Sequence, residues 1–211
     1  MTWTADNKFL EDDRFSVYGK LAPKSKADFA FVQHMIHHMT DDGVAVVLLP
    51  HGVLFRGAAE GAIREYIIDK QNYLDAVIGL PAKCFMGTSI PVACLVFKKN
   101  RGENKDNVCF IDASMYYEPG KNQNRLRDED IDRIVNAYTE RKNIEKFCHI
   151  ASIQEIRDNG FNCNIPRYVN ALEQEEEINV DAVKLQLEEL YAKSSQIDKQ
   201  LEGFFKQLKG N

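Results

Sequence analysis

Long apolar runs are missing from this sequence. The longest unbroken ones, Val44–Leu49 and Val92–Phe97, are six residues each, against the roughly 20 that a bilayer-spanning helix requires. A transmembrane segment is therefore excluded. The opening residues, MTWTADNKFLEDDRF, carry acids where a secretory leader would carry bases and then an apolar stretch, which argues against export and for a cytoplasmic protein. The five cysteines (Cys84, Cys94, Cys109, Cys148, Cys163) are odd in number and form no C-x-x-C pair. Neither a disulfide framework nor a zinc site is expected, and the thiols read as reduced and mostly buried. Internal repeats, low-complexity tracts, a P-loop, a Ser–His–Asp set and a paired-carboxylate hydrolase pattern are also lacking. His34 and His38 share a helix face at i, i+4, yet no glutamate follows His34 and no third ligand is evident, so solvated or hydrogen-bonded histidines are expected rather than a metal pair.

Positive charge is in short supply too. The net charge is −5 over 211 residues, which looks wrong for a nucleic-acid binder until it is mapped. Seven acids and one base lie between Glu173 and Leu190, a net of −6 that leaves the rest of the chain at +1. Within that body the bases cluster at Arg14/Lys20/Lys24/Lys26, at Lys98/Lys99/Arg101/Lys105 and at Lys121/Arg125/Arg127. Such clusters suit phosphate contact, and they equally suit a solvated surface.

With 44% hydrophobic residues, the chain can build a globular core. Its length suits one domain with an appendage. Residues 1–24 are polar and irregular. Ser25-Lys26-Ala27-Asp28 reads as a helix start, with Phe29, Val32, Ile36 and Met39 following at helical spacing. GVAVVLLP (43–50) has the wholly apolar pattern of a strand covered on both faces. A helix over 58–70 and a strand over 73–81 come next. After the loop AKCFMGTS, two further strands cover 90–100 and 108–114. Residues 128–141 form an amphipathic helix through Ile131, Ile134, Val135 and Tyr138. The alternation predicts an α/β sheet, mixed but mostly parallel. It opens with a helix and lacks the Gly-rich nucleotide turn of a doubly wound sheet, so the chain looks like the second half of a domain.

From Val180 the apolar positions run Val180, Val183, Leu187, Leu190, Ser194, Ile197, Leu201, Phe204 and Leu208, an a/d seam with one polar break at Ser194. A helix over 180–208 would be ~43 Å long. Two readings stay open: the seam folds back on its own domain, or it docks onto helices of a partner chain. The expected organisation is an irregular segment over 1–24, an α/β body over 25–170, and an acidic linker with a long helix over 171–211.

Several blocks point to a family. YGKLAPKSKADFAF (18–31), GVAVVLLPHGVLFRGAAEGAIRE (43–65), LDAVIGLPAKCFMGTSIPVACLVFKKN (74–100), FIDAS (110–114), GKNQN (120–124) and NCNIPRYV (162–169) together resemble the modification subunit of type I restriction–modification systems. These are adenine-specific DNA methyltransferases that use S-adenosylmethionine. The resemblance covers essentially the whole chain and implies the second half of a Rossmann-like class I methyltransferase sheet followed by a long C-terminal helix. It implies as partners a specificity subunit, a restriction subunit and double-stranded DNA. Two motifs of that family are not in this sequence: the glycine-rich turn for the cofactor's methionine part, and the Asn-Pro-Pro-aromatic tetrapeptide that holds the adenine amino group. In the family the tetrapeptide lies just upstream of a tryptophan like Trp3. The expectation is that this polypeptide alone does not methylate and binds S-adenosylmethionine weakly or not at all.

The resemblance places Phe85, in FMGTSIP, at the family's base-stacking aromatic. A base is methylated on its exocyclic nitrogen only after leaving the stack, and a flat side chain recovers part of the lost stacking. The alternative for Phe85 is a core plug beneath the loop. Asp28 and Phe31 lie where the family's fifth motif borders the cofactor's adenine, with Phe29 reading as core. Arg56, beside His51, Gly52 and Gly57, could reach a phosphate. Lys24, Lys26, Lys121 and Arg125 are plausible backbone contacts without a sequence-reading role. A different class of function also fits: a non-catalytic truncated or split-subunit interaction module acting through the 180–208 seam.

Overall fold

Short, continuous apolar runs build a five-stranded sheet whose central strands are covered on both faces. In the computed structural model of the protein the described residues are 2–169, together with Lys184, Leu187, Glu188, Leu190, Tyr191, Lys193, Ser194, Ser195, Ile197, Asp198 and Leu201, all of these last helical. The chain divides into two compact units, Met1–Ala171 and Leu172–Asn211. In the first unit, α1 (Asp28–His38) leads into β1 (Val44–Pro50), followed by α2 (Gly52–Phe55), α3 (Ala58–Glu65) and β2 (Leu74–Gly79). Then come β3 (Val92–Lys98), β4 (Asn107–Asp112), α4 (Asp128–Glu140), β5 (Cys148–Ser152) and α5 (Ile153–Asp158).

The strand order is β1-β3-β2-β4-β5. One face carries Ala45, Leu49, Val77, Leu95, Phe97, Val108 and Phe110, packed against Phe29, Val32 and Ile36 of α1 and against Ile63, Ile67 and Ile68. The opposite face carries Ala76, Ile78, Val96, Cys109 and Ile111, covered by Ala137, Ile134 and Tyr138 of α4 together with Phe147. Each fully buried Phe or Ile contributes ~1.5–3 kcal/mol relative to an exposed one.

The sheet corrects the expectation of mostly parallel pairing. β3 runs antiparallel to both β1 and β2, β5 is antiparallel to β4, and only β2–β4 is parallel. The segment between β2 and β3 contains no helix, and a parallel return would need a crossover, usually helical. Burial on both faces produces the same continuous apolar run in either direction. The strand β1 is also not covered on both faces: Val44, Val46 and Leu48 are 56%, 57% and 47% exposed. Among the described residues it is an edge strand paired only with β3, and α4 covers the far side of the sheet around β2 and β4 instead.

Local corrections follow the same logic. Ser25 does not cap α1, which starts at Asp28 without a side-chain cap. Residues Tyr66–Lys70 wind as a π-helical turn that continues α3. On α4, Ile131 and Val135 face outward, while Asp130 turns back to accept the Arg127 N–H at 2.9 Å and closes the first turn. The strand β5 went unanticipated. Lys98 and Arg101, members of a basic cluster that suited phosphate contact or a solvated surface, instead converge on the buried Asp75 of β2. In the second unit Leu187, Leu190, Ile197 and Leu201 are exposed; the seam positions Val180, Val183, Phe204 and Leu208 lie outside the described residues. Among the described residues no helix is long and apolar enough to cross a membrane.

Candidate functional site

Because β1 and β2 both oppose β3, they point the same way, and β4 is parallel to β2. The carboxyl ends of all three therefore lie along one edge of the sheet, the edge where open α/β sheets bind ligands. The loop leaving β2 there carries Phe85. Its Lys83 and Gly87 adopt left-handed conformations, φ 58° and 78°, which bend the chain sharply and lift the FMGT segment off the sheet.

Phe85 is 37% exposed and is no core plug. It lines a cleft of about 480 Å³ with Leu80, Cys84, Gln123, Asn124, Arg125 and Leu126. The far wall comes from a turn closed by paired backbone bonds, Glu118 N–H to Arg125 O at 2.8 Å and Arg125 N–H to Glu118 O at 3.0 Å. A Cβ at Gly120 would strike the Gln123 carbonyl, so the turn requires glycine there. Lys121 and Arg125 are exposed on this turn. The structure thus brings the expected aromatic and one of the expected bases into one cleft. Burial pushes the Cys84 thiol upward, so it is not primed as a nucleophile.

Phe31 is 50% exposed at the first turn of α1. With Trp3, Phe9, Arg14, Phe15 and His34 it lines a second cavity, of about 270 Å³. Trp3 stacks on Phe9, ring centroids 5.6 Å apart and planes 18° apart, and anchors its indole N–H on the Ala22 carbonyl at 3.1 Å. This aromatic wall was not anticipated, because its members are scattered through a polar, irregular segment. Asp28 does not line the cavity; it accepts Arg56 Nη2 at 3.0 Å. Phe29 is buried in the core as expected.

Arg56 is already matched. Its Nε meets Glu60 Oε2 at 2.6 Å and its Nη2 meets Glu60 Oε1 at 2.9 Å, in addition to Asp28. The Glu60 bonds, then Asp28, hold the guanidinium pKa above its ordinary value despite partial burial. A side chain on Gly52 would collide with that guanidinium. Two carboxylates thus occupy the guanidinium that was expected to reach a phosphate, and make it a latch between α1 and α3. Lys24 and Lys26 are exposed in the turn before α1. His38 Nδ1 sits 2.8 Å from the His34 carbonyl and His34 Nδ1 3.2 Å from Arg14, so the two imidazoles have local partners.

The NCNIPRYV segment seals the sheet beside the cleft. Tyr168 stacks on Phe110 with centroids 3.9 Å apart, and Ile165 lies so close over Gly79, the last residue of β2, that a Cβ there would clash. The buried Arg64 donates to the carbonyls of Phe161, Val53 and Arg56 at 2.6, 2.9 and 3.0 Å. These bonds tie that segment to the loops following β1.

Comparison with known proteins identifies a family. Residues 1–177 match the family model described as N-6 DNA Methylase. Over 211 residues and 99% of the chain, the sequence is 34% identical to the type I restriction enzyme MpnII methylase subunit of Mycoplasma pneumoniae. It is 34% identical over 191 residues to the MjaVIII methylase subunit of Methanocaldococcus jannaschii. The crystal structure of a type I restriction-modification methyltransferase subunit from Streptococcus thermophilus superimposes with a TM-score of 0.78 at 52% identity, covering 82% of this chain. This chain spans 38% and 32% of those two curated relatives and 36% of the crystallised one. With a family match across the whole α/β body and similarity to a methylase subunit along 99% of its own length, the chain belongs to the N-6 DNA methylase family.

Proposed function

We propose that this chain is the C-terminal part of an S-adenosylmethionine-dependent adenine-N6 DNA methyltransferase subunit of a type I restriction–modification system. The single observation that carries the reading is Phe85, partly exposed beyond the carboxyl end of β2 in a cleft of about 480 Å³ that Arg125 also lines. Phe85 stacks on the extruded adenine, and Lys121 and Arg125, with Lys24 and Lys26, meet the DNA backbone. When bound, S-adenosylmethionine would supply its sulfonium methyl group to the adenine N6, leaving S-adenosylhomocysteine and one proton. Phe31 and its aromatic neighbours suit the flat adenine of an adenosyl group, while Asp28, outside that cavity, is engaged by Arg56. The rest of the cofactor and the amino-group grip belong to motifs that this sequence does not contain. The chain by itself is accordingly inactive and binds the cofactor weakly.

The outward row Val44, Val46 and Leu48 on a strand with a free edge supports a further layer of the same enzyme packing there. Residues 171–211 serve as an acidic linker and a helix docking onto the specificity subunit, in a complex that also takes up the restriction subunit. The a/d spacing of the seam supports docking. It equally supports the second reading, a non-catalytic split-subunit module acting through the 180–208 helix.

Tritiated methyl transfer separates the two. Assembled with the remainder of a methyltransferase subunit and a specificity subunit, the complex methylates duplex DNA. Phe85→Ala then lowers kcat/KM by about 5- to 150-fold, the loss that ~1–3 kcal/mol of base stacking implies. An assembled complex that is inactive with an intact Phe85 favours the module reading; methyl transfer by the chain alone sinks the claim that its site is incomplete.

A further inference from the structure

The loop that carries Phe85 runs from Leu80 to Pro91 without helix or strand. Its own hydrogen bonds lie at the neck, Leu80 N–H to Val92 O, and near the exit, Ile90 N–H to Thr88 Oγ1. Between them, three consecutive carbonyls are collected by two adjacent residues some 40 positions later. Asn124 donates its side-chain Nδ2 to Ala82 O at 2.8 Å and its backbone N–H to Lys83 O at 2.9 Å. Gln123 donates its Nε2 to Cys84 O. The middle carbonyl belongs to Lys83, whose left-handed backbone is unfavourable for a residue with a Cβ and needs support from outside the loop. On the other side, Asn124 Oδ1 accepts the Gly120 N–H at 3.4 Å, so one side chain ties the turn to itself and to the Phe85 loop.

We infer that Asn124, assisted by Gln123, is the positioning residue of the base-stacking loop, joining the basic Lys121–Arg125 turn and the Phe85 aromatic into one unit. The inference rests on the reading of Phe85 as a stacking platform and goes beyond it. Contact of Lys121 and Arg125 with a phosphate presses on the same turn whose Asn124 holds Ala82 and Lys83. Backbone engagement and presentation of the aromatic are therefore mechanically coupled. An unsupported loop would place the ring in many orientations, and only a fraction would stack on a base.

Two measurements on the full chain test this. Hydrogen exchange reads the amides of 82–90 against those of β2, and a single-stranded oligonucleotide bearing one 2-aminopurine reports stacking through its fluorescence. Asn124→Asp, which replaces the donor facing Ala82 O with an acceptor, is expected to accelerate exchange over 82–90 only. It weakens probe binding about threefold to tenfold, the net effect of one hydrogen bond, and leaves the melting temperature unchanged. Gln123→Ala, at an exposed side chain, gives the same pattern more weakly and serves if the Asn124 variant unfolds. Lys121→Ala reduces the salt dependence of binding without altering exchange over 82–90. In a Phe85→Ala background, Asn124→Asp costs no further probe affinity. If Asn124→Asp and Gln123→Ala stack the probe as the parent does while Phe85→Ala loses it, the positioning role is overturned and the stacking reading stands. If Phe85→Ala itself binds the probe unchanged, the stacking reading falls, and the positioning role with it.

Discussion

Arg141, in a left-handed conformation just past α4, reaches back 66 residues to Asp75 at the start of β2. Its Nη2 donates to the Asp75 carboxylate at 2.6 Å and to the Asp75 carbonyl at 3.1 Å. The same carboxylate receives Arg101 Nε at 3.2 Å, Lys98 Nζ at 3.4 Å and the Tyr138 hydroxyl. One buried anion thus organises three cations from the ends of β3 and α4, and pins α4 to the sheet face it covers.

Removing that anion is expected to be costly. Asp75→Ala leaves Arg101 and Arg141 buried without their counter-charge, a loss of ~3–5 kcal/mol in urea denaturation. Asp75→Asn keeps the shape and some hydrogen bonds and is expected to lose less. A change under ~1 kcal/mol for Asp75→Ala would mean that the cations are compensated by the Asn72 and Asn107 oxygens alone.

Acid should act through the same residue. Burial opposes ionisation of Asp75, but the Tyr138 hydroxyl and the Arg141, Lys98 and Arg101 cations outweigh it and hold its carboxyl below the ordinary range. A folded-state value below the unfolded one, about 3.9, means that the folded state binds fewer protons. The stabilisation is fully present above the unfolded value and disappears as pH falls through the folded one. Unfolding free energy measured from pH 5 down to pH 2 is expected to drop less steeply in Asp75→Asn than in the parent.

Tyr168 offers a test of how firmly NCNIPRYV closes the sheet. Its hydroxyl donates to Asn162 O at 2.7 Å while its ring lies on Phe110. Tyr168→Phe should cost ~0.5–1.5 kcal/mol, the net value of one hydrogen bond, and Tyr168→Ala ~3–5 kcal/mol through the lost ring. Equal melting temperatures for the two variants would show that the stack contributes nothing beyond the hydroxyl.

DNA binding should separate matched from unmatched bases. Lys121→Ala and Arg125→Ala are each expected to lower the slope of log affinity against log salt by about 1, one phosphate contact apiece. Arg56→Gln should leave the slope alone, since its guanidinium is already neutralised by Glu60 and Asp28, and should lower thermal stability instead. A reduced slope for Arg56→Gln would restore it as a phosphate contact.

Much of the architecture was legible before any coordinates. Helical spacing identified α1 and α4, apolar runs located β1 to β4, and the position of FMGTSIP after a strand put Phe85 beyond a strand's carboxyl end. Other features were opaque for specific reasons. A run such as VACLVF is equally apolar whether β3 lies parallel or antiparallel. The residues CHIAS carry a histidine and a serine that mask a short edge strand. Arg56 looks identical in sequence whether its partner is a phosphate or Glu60, and Asp75 inside an apolar strand gives no hint of the cations it will meet.

The amino-acid order alone determined where β1 to β4 and the helices α1 and α4 lie along the chain and which family's blocks the chain carries. These are local properties, written in spacing and side-chain type. Tertiary structure alone decided strand direction, the outward face of β1, the partners of Arg56 and Asp75, and the hold of Gln123 and Asn124 on the Phe85 loop. Each of those depends on groups tens of residues apart meeting in space, and hydrogen-bond geometry and charge pairing between such groups have no periodicity to read.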